Sequence, residues 1–216
     1  MPTFKATDKQ REAQLLLGGP QTHTMLFGGS RSGKTFILVR AILARAIKAP
    51  GSRQAILRQA FDHVKRSVGM DTLPKVAALC FPSIKLNLDK QMWVFRLPND
   101  SEIWLGGLDD KERVEKVLGQ EHAGIYLNEC SQISYDARST AVTRLAQVVK
   151  QEHLGEGDLP LRMFYDCNPP SKMHWSYRLF IENIDPETKR PLTNPNDFAA
   201  MQITRSTTRK IFQKNT

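Results

Sequence analysis

Long apolar runs, cysteine pairs and histidine–cysteine clusters are all missing from the sequence. No apolar run approaches the roughly 20 residues that a membrane-spanning helix needs, and the polar N-terminus MPTFKATDKQ lacks the pattern of a signal peptide. The three cysteines, Cys80, Cys130 and Cys167, are far apart, and none lies at ligand spacing from a histidine. A disulfide framework and a zinc site are therefore not expected, and three reduced thiols in a cytoplasmic protein is the plain interpretation.

Composition indicates an ordinary soluble domain. The chain has 216 residues, of which 40% are hydrophobic and 25% charged, and it contains no repeats or low-complexity segment. Its formal net charge of +9 favours a polyanionic partner. Part of this charge lies in the last segment, 204–216, which has four basic residues and no acidic one.

The stretch FGGSRSGKTF contains the pattern G-x-x-x-x-G-K-T of a phosphate-binding loop. Glycines let successive backbone N–H groups converge on phosphate oxygens, Lys34 can reach the β- and γ-phosphates, and the Thr35 hydroxyl can ligate Mg²⁺. Arg31 either adds a second cation near the phosphates or is simply solvated. The predicted phosphate-binding residues are Gly28, Gly29, Ser30, Arg31, Ser32, Gly33, Lys34 and Thr35.

The sequence on either side of the loop has the order that a phosphate loop requires. Residues 24–27 form a short apolar run typical of a buried strand, and 36–47 form an apolar, alanine-rich helix that stops before Pro50. The alternative is a glycine-rich turn that happens to carry Lys-Thr. The strand–loop–helix order favours phosphate binding.

Strands alternate with helices along the chain, which predicts an α/β fold with a mostly parallel central sheet flanked by helices. An antiparallel strand extension is expected around the turn at 98–100. Strands are predicted at 24–27, 53–58, 84–88, 92–97, 102–105, 124–127 and 161–165. Helices are predicted at 7–17, 36–47, 62–67, a further one ending at 81, 109–118, 135–149 and 175–183.

Ligands of such sheets lie at the carboxyl ends of the strands, so the other site residues are sought there. The strand at 124–127 leads into Asn128-Glu129, where ATP hydrolases place Asp-Glu. Glu129 can act as the base for the attacking water, and Asn128 can accept from a metal-bound water without adding charge, so the predicted metal residues are Thr35, Asn128 and Glu129. Replacing Asn128 with aspartate is then expected to tighten the binding of Mg²⁺. The alternative is a strand that merely ends in a helix cap.

Two further residues are candidates on weaker patterns. Asn168 follows the strand at 161–165 and is placed beside the γ-phosphate as a sensor, although Asn-Pro also marks ordinary turns. Gln10, in the first helix, could hydrogen-bond the adenine edge, although a glutamine on an exposed helix carries no meaning by itself.

Together these motifs resemble the ATPase half of phage terminase large subunits, over roughly residues 3–203. The resemblance rests on Thr7-x-x-Gln10, the GGSRSGKT loop, the 56–58 strand, a charged helix ending at Gly119, the segment ending in Asn128-Glu129, and Asn168-Pro169. The fold that it implies is that of a P-loop NTPase.

The resemblance also implies functional roles. Lys34 and Arg31 would contact phosphates, Thr35 the Mg²⁺, Glu129 would be the catalytic base and Asn168 the coupling residue. A trans-acting cation would fall in the charged segment, with Lys116 the best positional match and Arg113 nearby; the alternative for this segment is a solvated helix face.

Cofactors, partners and domain limits follow from the same resemblance. ATP and Mg²⁺ are the implied cofactors; double-stranded DNA, the terminase small subunit and the portal protein are the implied partners. The protein would form a homo-oligomeric ring on the procapsid and be a monomer in solution. It would act in the bacterial host cytoplasm, with no membrane among its partners. The ATPase domain is expected over 1–203. The nuclease domain of the family is expected to be absent, and 204–216 to be a disordered or out-of-frame tail of a degenerate prophage gene.

Two other functions are compatible with the sequence. One is a different P-loop DNA motor, such as a helicase-like ATPase. The other is a nucleotide-binding remnant that does not hydrolyse, which the neutral Asn128 favours.

Overall fold

The computed structural model of the protein describes residues 4–109, 114–115, 117, 119–152 and 157–204. Within these ranges the chain folds as a central β-sheet with helices on both faces. Both the predicted fold class and the P-loop arrangement of strand, loop and helix are confirmed. No helix in the described ranges is long and apolar enough to cross a membrane.

The sheet has eight described strands in the order β3-β4-β5-β2-β6-β7-β1-β8. Strands β3 and β4 pair in the antiparallel direction with each other and with β5, and the other pairs are parallel. The predicted antiparallel extension is therefore confirmed. The strands are β1 His23–Phe27, β2 Arg53–Arg58, β3 Asn87–Asp89, β4 Val94–Arg96, β5 Glu102–Gly107, β6 Gly124–Leu127, β7 Arg162–Cys167 and β8 Phe198–Gln202.

The helices cover the two faces of this sheet with separate apolar cores. The central helix α2 packs an apolar stripe that includes Ile37, Leu38 and Ile42 onto one face, and it ends at Lys48 because Pro50 follows. The helices are α1 Asp8–Leu17, α2 Lys34–Lys48, α3 Phe61–Val64, a π-helical segment Lys65–Thr72, α4 Leu73–Cys80, α5 Tyr135–Val142, α6 Trp175–Tyr177 and a second π-helical segment Arg178–Glu182.

Helix α5 is shorter than the sequence predicts, and the expectation of helix to residue 149 is wrong. After Val142 the chain turns to run beside the sheet, where the N–H groups of Ala146 and Gln147 donate to the His122 carbonyl. The Gln147 side chain also accepts from the N–H of Arg53 at 2.6 Å. Tertiary hydrogen bonds to two strand starts therefore replace the helical ones.

The edge strand β8, Phe198–Gln202, is absent from the sequence-based prediction. It pairs in parallel with β1, and the Ile203 N–H donates to the Phe27 carbonyl at 2.7 Å. Its residues Phe-Ala-Ala-Met-Gln have no β-branched side chain and no alternation, so the strand is defined by its pairing and not by local pattern. The predicted charged helix at 109–118 lies mostly outside the described residues.

Candidate nucleotide site

The phosphate loop connects β1 to α2 at the carboxyl edge of the sheet. The Gly28 N–H donates to the Cys167 carbonyl at 3.2 Å, which ties the loop to β7. Gly28 and Gly33 have φ of +147° and +85°, conformations that favour glycine. Gly33 is the N-cap of α2, and no side chain of the described residues caps this helix, so its first-turn N–H groups are open to an anion.

Lys34 lies inside the loop. It is 7% exposed, and its Nζ donates to the carbonyls of Gly28 and Gly29 at 2.9 and 3.0 Å and to the Ser32 hydroxyl at 3.3 Å. The ammonium group is thus held at the centre of the phosphate loop. Arg31, by contrast, is exposed at the tip of the loop, with φ of +61°.

Gln10 packs against the same loop from α1. Its Oε1 accepts from the Thr7 N–H at 3.0 Å, while the Thr7 hydroxyl accepts from the Gln10 N–H, which together form a capping box. The other end of the amide faces the loop: a Cβ on Gly33 would lie only 2.6 Å from Gln10 Nε2. The structure therefore brings Gln10 to the loop and gives it a structural role there as well.

Glu129 follows β6, which is separated from β1 by β7. Its φ of +53° is left-handed, unusual for a residue with a side chain, and it is partly buried. Burial raises the pKa of Glu129, and the charge of Asp166 raises it further, whereas the cations Arg58 and Lys34 act in the opposite direction. Charged residues of three elements, β2, β7 and α2, therefore act on one carboxylate.

Asp166, near the end of β7, connects these parts. It is 1% exposed, and its Oδ1 accepts from the Tyr126 hydroxyl, the Asn128 Nδ2 and the Glu129 N–H at 2.9, 3.0 and 2.9 Å. Its Oδ2 accepts from the Thr35 hydroxyl at 3.2 Å. The pKa of Tyr126 is raised well above its ordinary value, first by the burial of Tyr126 itself and then by the charge of Asp166.

The structure brings most predicted site residues to one edge of the sheet. Asn128 is buried, and its Nδ2 donates to Tyr126 and Asp166, so only its carbonyl oxygen is left for a metal-bound water. Asn168 is exposed just after β7. Lys116 and Arg113 lie outside the described residues, and their predicted role stays a prediction.

Asp166 and Arg58 are charged residues at this edge that sequence patterns alone did not bring forward. Both stand at the carboxyl ends of apolar strands, where a charged residue is out of keeping with the pattern. A signal for Asp166 exists in the sequence: an acid directly follows the run Met163-Phe164-Tyr165, two residues before Asn168.

The donors at this edge fit a magnesium nucleotide. Thr35, Asn128, Glu129 and Asp166 offer hydroxyl, amide and carboxylate oxygens, the hard ligands that Mg²⁺ prefers. Among the described residues, no group of three or more His, Cys, Asp or Glu side chains forms a metal cage. Mg²⁺ does not need one, because it usually keeps several waters and binds through one or two protein groups and phosphates.

Comparison with known families identifies the chain. A family model described as phage terminase large subunit matches residues 20–210. The chain belongs to this family. No curated protein sequence matches it significantly.

Solved structures of terminases share its fold. The large terminase of a thermophilic bacteriophage superposes with a TM-score of 0.72 at 13% identity, covering 94% of this chain and 46% of that one. The large terminase ATPase domain of Thermus phage P74-26 gives 0.56 at 17% identity, covering 92% and 81%. The HK97 bacteriophage large terminase gives 0.60 at 10% identity, covering 93% and 39%.

This terminase chain spans about half the length of the large terminase from the thermophilic bacteriophage. Structures of that large terminase have been solved with ADP and with ATP-γ-S. At this level of identity the likeness establishes the fold of the terminase ATPase domain.

Proposed function

We propose that this chain is the ATP-binding and ATP-hydrolysing motor domain of a phage or prophage terminase large subunit, which drives double-stranded DNA into procapsids. Family membership over 20–210 and the fold support the proposal. The observation that carries it is local: the Thr35 hydroxyl of the phosphate loop and the Glu129 N–H both donate to Asp166. These two contacts support the proposal because they connect the loop residue Thr35 to Glu129, the residue proposed as the base, through Asp166 on β7.

Each site residue has a proposed role that follows from its position. The first-turn N–H groups of α2 and the Lys34 ammonium bind phosphate oxygens, with Arg31 at the tip of the loop. Bound at Thr35, Mg²⁺ would neutralise charge that develops on the phosphates. Glu129 accepts a proton from the attacking water; a raised pKa makes it a better base than an ordinary glutamate.

Asn168 is proposed as the residue that responds to the γ-phosphate, because it is exposed at the end of the strand that neighbours β1. Gln10 is proposed to read adenine, because its Nε2 lies beside Gly33 of the loop. A cation from a neighbouring subunit, Lys116 or Arg113, would complete the site in an assembled ring.

The partners proposed for the assembled motor are double-stranded DNA, the terminase small subunit, the portal protein and further copies of this chain. The site of action would be the bacterial host cytoplasm. The net charge of +9 suits a partner with a phosphate backbone.

Phosphate release and nucleotide binding, measured on the same preparations, test this function. Lys34→Ala should abolish ADP binding in calorimetry. Glu129→Gln should keep ADP binding but lose about 100-fold or more of the turnover. Glu121→Gln, on an exposed carboxylate of the same chain, serves as the control and should retain both. Unchanged ADP binding in Lys34→Ala would refute the nucleotide site.

Two other functions give different results in these assays. A helicase-like motor would be stimulated by free single strands, whereas a packaging motor would be stimulated by packaging partners. A non-hydrolysing remnant, which the neutral Asn128 favours, would bind ADP and release no phosphate at any protein concentration.

A further inference from the structure

Asp166 is a buried carboxylate that the described part of the chain leaves without a counter-ion. All four of its hydrogen bonds within the described residues come from neutral donors: Tyr126, Asn128, Thr35 and the Glu129 N–H. It takes part in none of the ion pairs of the described residues. Buried charges are normally paired with an opposite charge or coordinate a metal.

Glu129 is a second acid at this place, and its backbone N–H donates to Asp166 Oδ1 at 2.9 Å. The charge of Asp166 is the second cause, after burial, of the raised pKa of Glu129, so the two acids repel each other across the site. A divalent cation between the phosphates and these acids would relieve that repulsion. The Thr35 hydroxyl donates its proton to Asp166 Oδ2, and its lone pairs are therefore left to bind a metal.

Asn128 is oriented as a partner of this carboxylate. An ionised carboxylate only accepts hydrogen bonds, so the amide must present its nitrogen to Asp166, and Nδ2 lies 3.0 Å from Oδ1. An aspartate at position 128 would instead place two carboxylates at hydrogen-bonding distance. The residue at the end of β6, where an acid is expected, is therefore the neutral Asn128, and the neighbouring strand β7 supplies the acid Asp166.

We propose that Asp166, and not Asn128, supplies the negative charge that holds the water shell of the Mg²⁺ bound at Thr35, and that Asn128 positions Asp166. The inference rests on the proposed nucleotide site and specifies its metal-binding residue. It also reverses the expectation for Asn128→Asp: that variant should weaken Mg²⁺ binding, because it removes the amide donor that holds Asp166 in place.

The test compares ADP affinity by calorimetry with Mg²⁺ present and with Mg²⁺ chelated. In the wild-type protein the presence of Mg²⁺ should tighten the binding of ADP. In Asp166→Asn this Mg²⁺-dependent gain should shrink about 10–100-fold, as is typical when a residue that orients metal ligands is lost. Metal-free ADP should bind as well or better, because a negative charge near the phosphates has gone. A purely structural role would weaken both affinities together.

Two further variants separate charge from packing. Tyr126→Phe removes one hydrogen bond to Asp166 but keeps the charge, so the Mg²⁺-dependent gain should persist. The exchange Asn128→Asp with Asp166→Asn keeps one amide and one carboxylate in contact, so much of the gain should return. Electron paramagnetic resonance of Mn²⁺ in the presence of ADP provides a second readout, and thermal melts check that each variant is folded.

The outcomes distinguish this inference from the proposed function. If the wild-type protein binds no ADP at all, the nucleotide site itself is refuted. If it binds ADP and Asp166→Asn keeps the full Mg²⁺-dependent gain, the site stands and the role of Asp166 is refuted. If Asp166→Asn fails to fold, the double exchange decides: a folded double variant without any Mg²⁺-dependent gain overturns the proposal.

Discussion

Gly28 and Ile203 lie close together, each directly after one of the paired strands β1 and β8. A Cβ on Gly28 would overlap the Ile203 carbonyl, and Gly28 has φ of +147°, where side chains are strained. The Ile203 N–H donates to Phe27, the residue before the loop. The end of edge strand β8 therefore forms one wall of the phosphate loop.

Gly28→Ala should consequently damage both the fold and the site. Backbone strain alone costs about 1–3 kcal/mol, and relieving the overlap requires β8 to move away from β1. We expect a clear drop in the melting temperature and loss of ADP binding. Gly29→Ala is the matched control: a Cβ at Gly29 would have no atom of the described residues within 4 Å, so the stability of this variant should stay within about 0.5 kcal/mol of wild type. Equal melting temperatures for Gly28→Ala and Gly29→Ala would contradict the claim that Ile203 leaves no room for a side chain at Gly28.

Local sequence patterns predicted the loop and its two flanking elements because those signals are local. The phosphate loop, the strand before it and α2 carry their own glycines, apolar runs and stop signals, and the structure confirms them. Strand β8 carries none of these, because its residues become a strand only by pairing with β1. The same holds for residues after Val142, where bonds to His122 replace the expected helix.

The site shows the same division. Lys34, Thr35 and Glu129 were predicted because each stands in a motif with a fixed spacing. Asp166 was not, because its meaning comes from neighbours at sequence separations of 37 to 131 residues. Only the sheet order, with β7 between β6 and β1, brings those neighbours together.

Glu129→Gln should raise the stability of the nucleotide-free protein at pH 8. Because the folded-state pKa of Glu129 is raised, its ionisation disfavours the folded state at pH values above that pKa. The gain from the variant should therefore shrink as the pH falls through the folded pKa and vanish below the unfolded one. Thermal melts from pH 8 to pH 4 measure this. A variant that is less stable than wild type at pH 8 would mean that Glu129 is held by favourable contacts.

His23 should make the protein acid-sensitive. Its Nδ1 lies 3.0 Å from the Tyr165 hydroxyl, which accepts from Arg138 Nε. A neutral His23 can accept the hydroxyl proton of Tyr165 at Nδ1. Burial first, and the charge of Arg138 second, lower its pKa to about 3. The unfolded chain takes up this proton near pH 6.5 and the folded one does not.

The stability contributed by neutral His23 is complete above pH 6.5 and is lost as the pH falls towards 3, at up to about 1.4 kcal/mol per pH unit. His23→Gln should be less stable at pH 8 but show a flatter loss between about pH 6.5 and 4 in urea titrations. His63→Gln, on an exposed histidine, should keep the wild-type slope. Identical slopes for wild type and His23→Gln would rule out this source of acid sensitivity.

Gln10 has two ends with two different tasks, and a single substitution can separate them. Gln10→Glu keeps an oxygen to accept from the Thr7 N–H, so the capping box and the melting temperature should persist. It removes the Nε2 donor beside Gly33, where adenine would be read. The added negative charge repels the phosphates of ATP and GTP equally, so the ratio of their affinities reports base reading alone. We expect that ratio to fall by about tenfold, the loss typical of one specific hydrogen bond. A preference for ATP over GTP that survives in Gln10→Glu would leave Gln10 as a helix cap only.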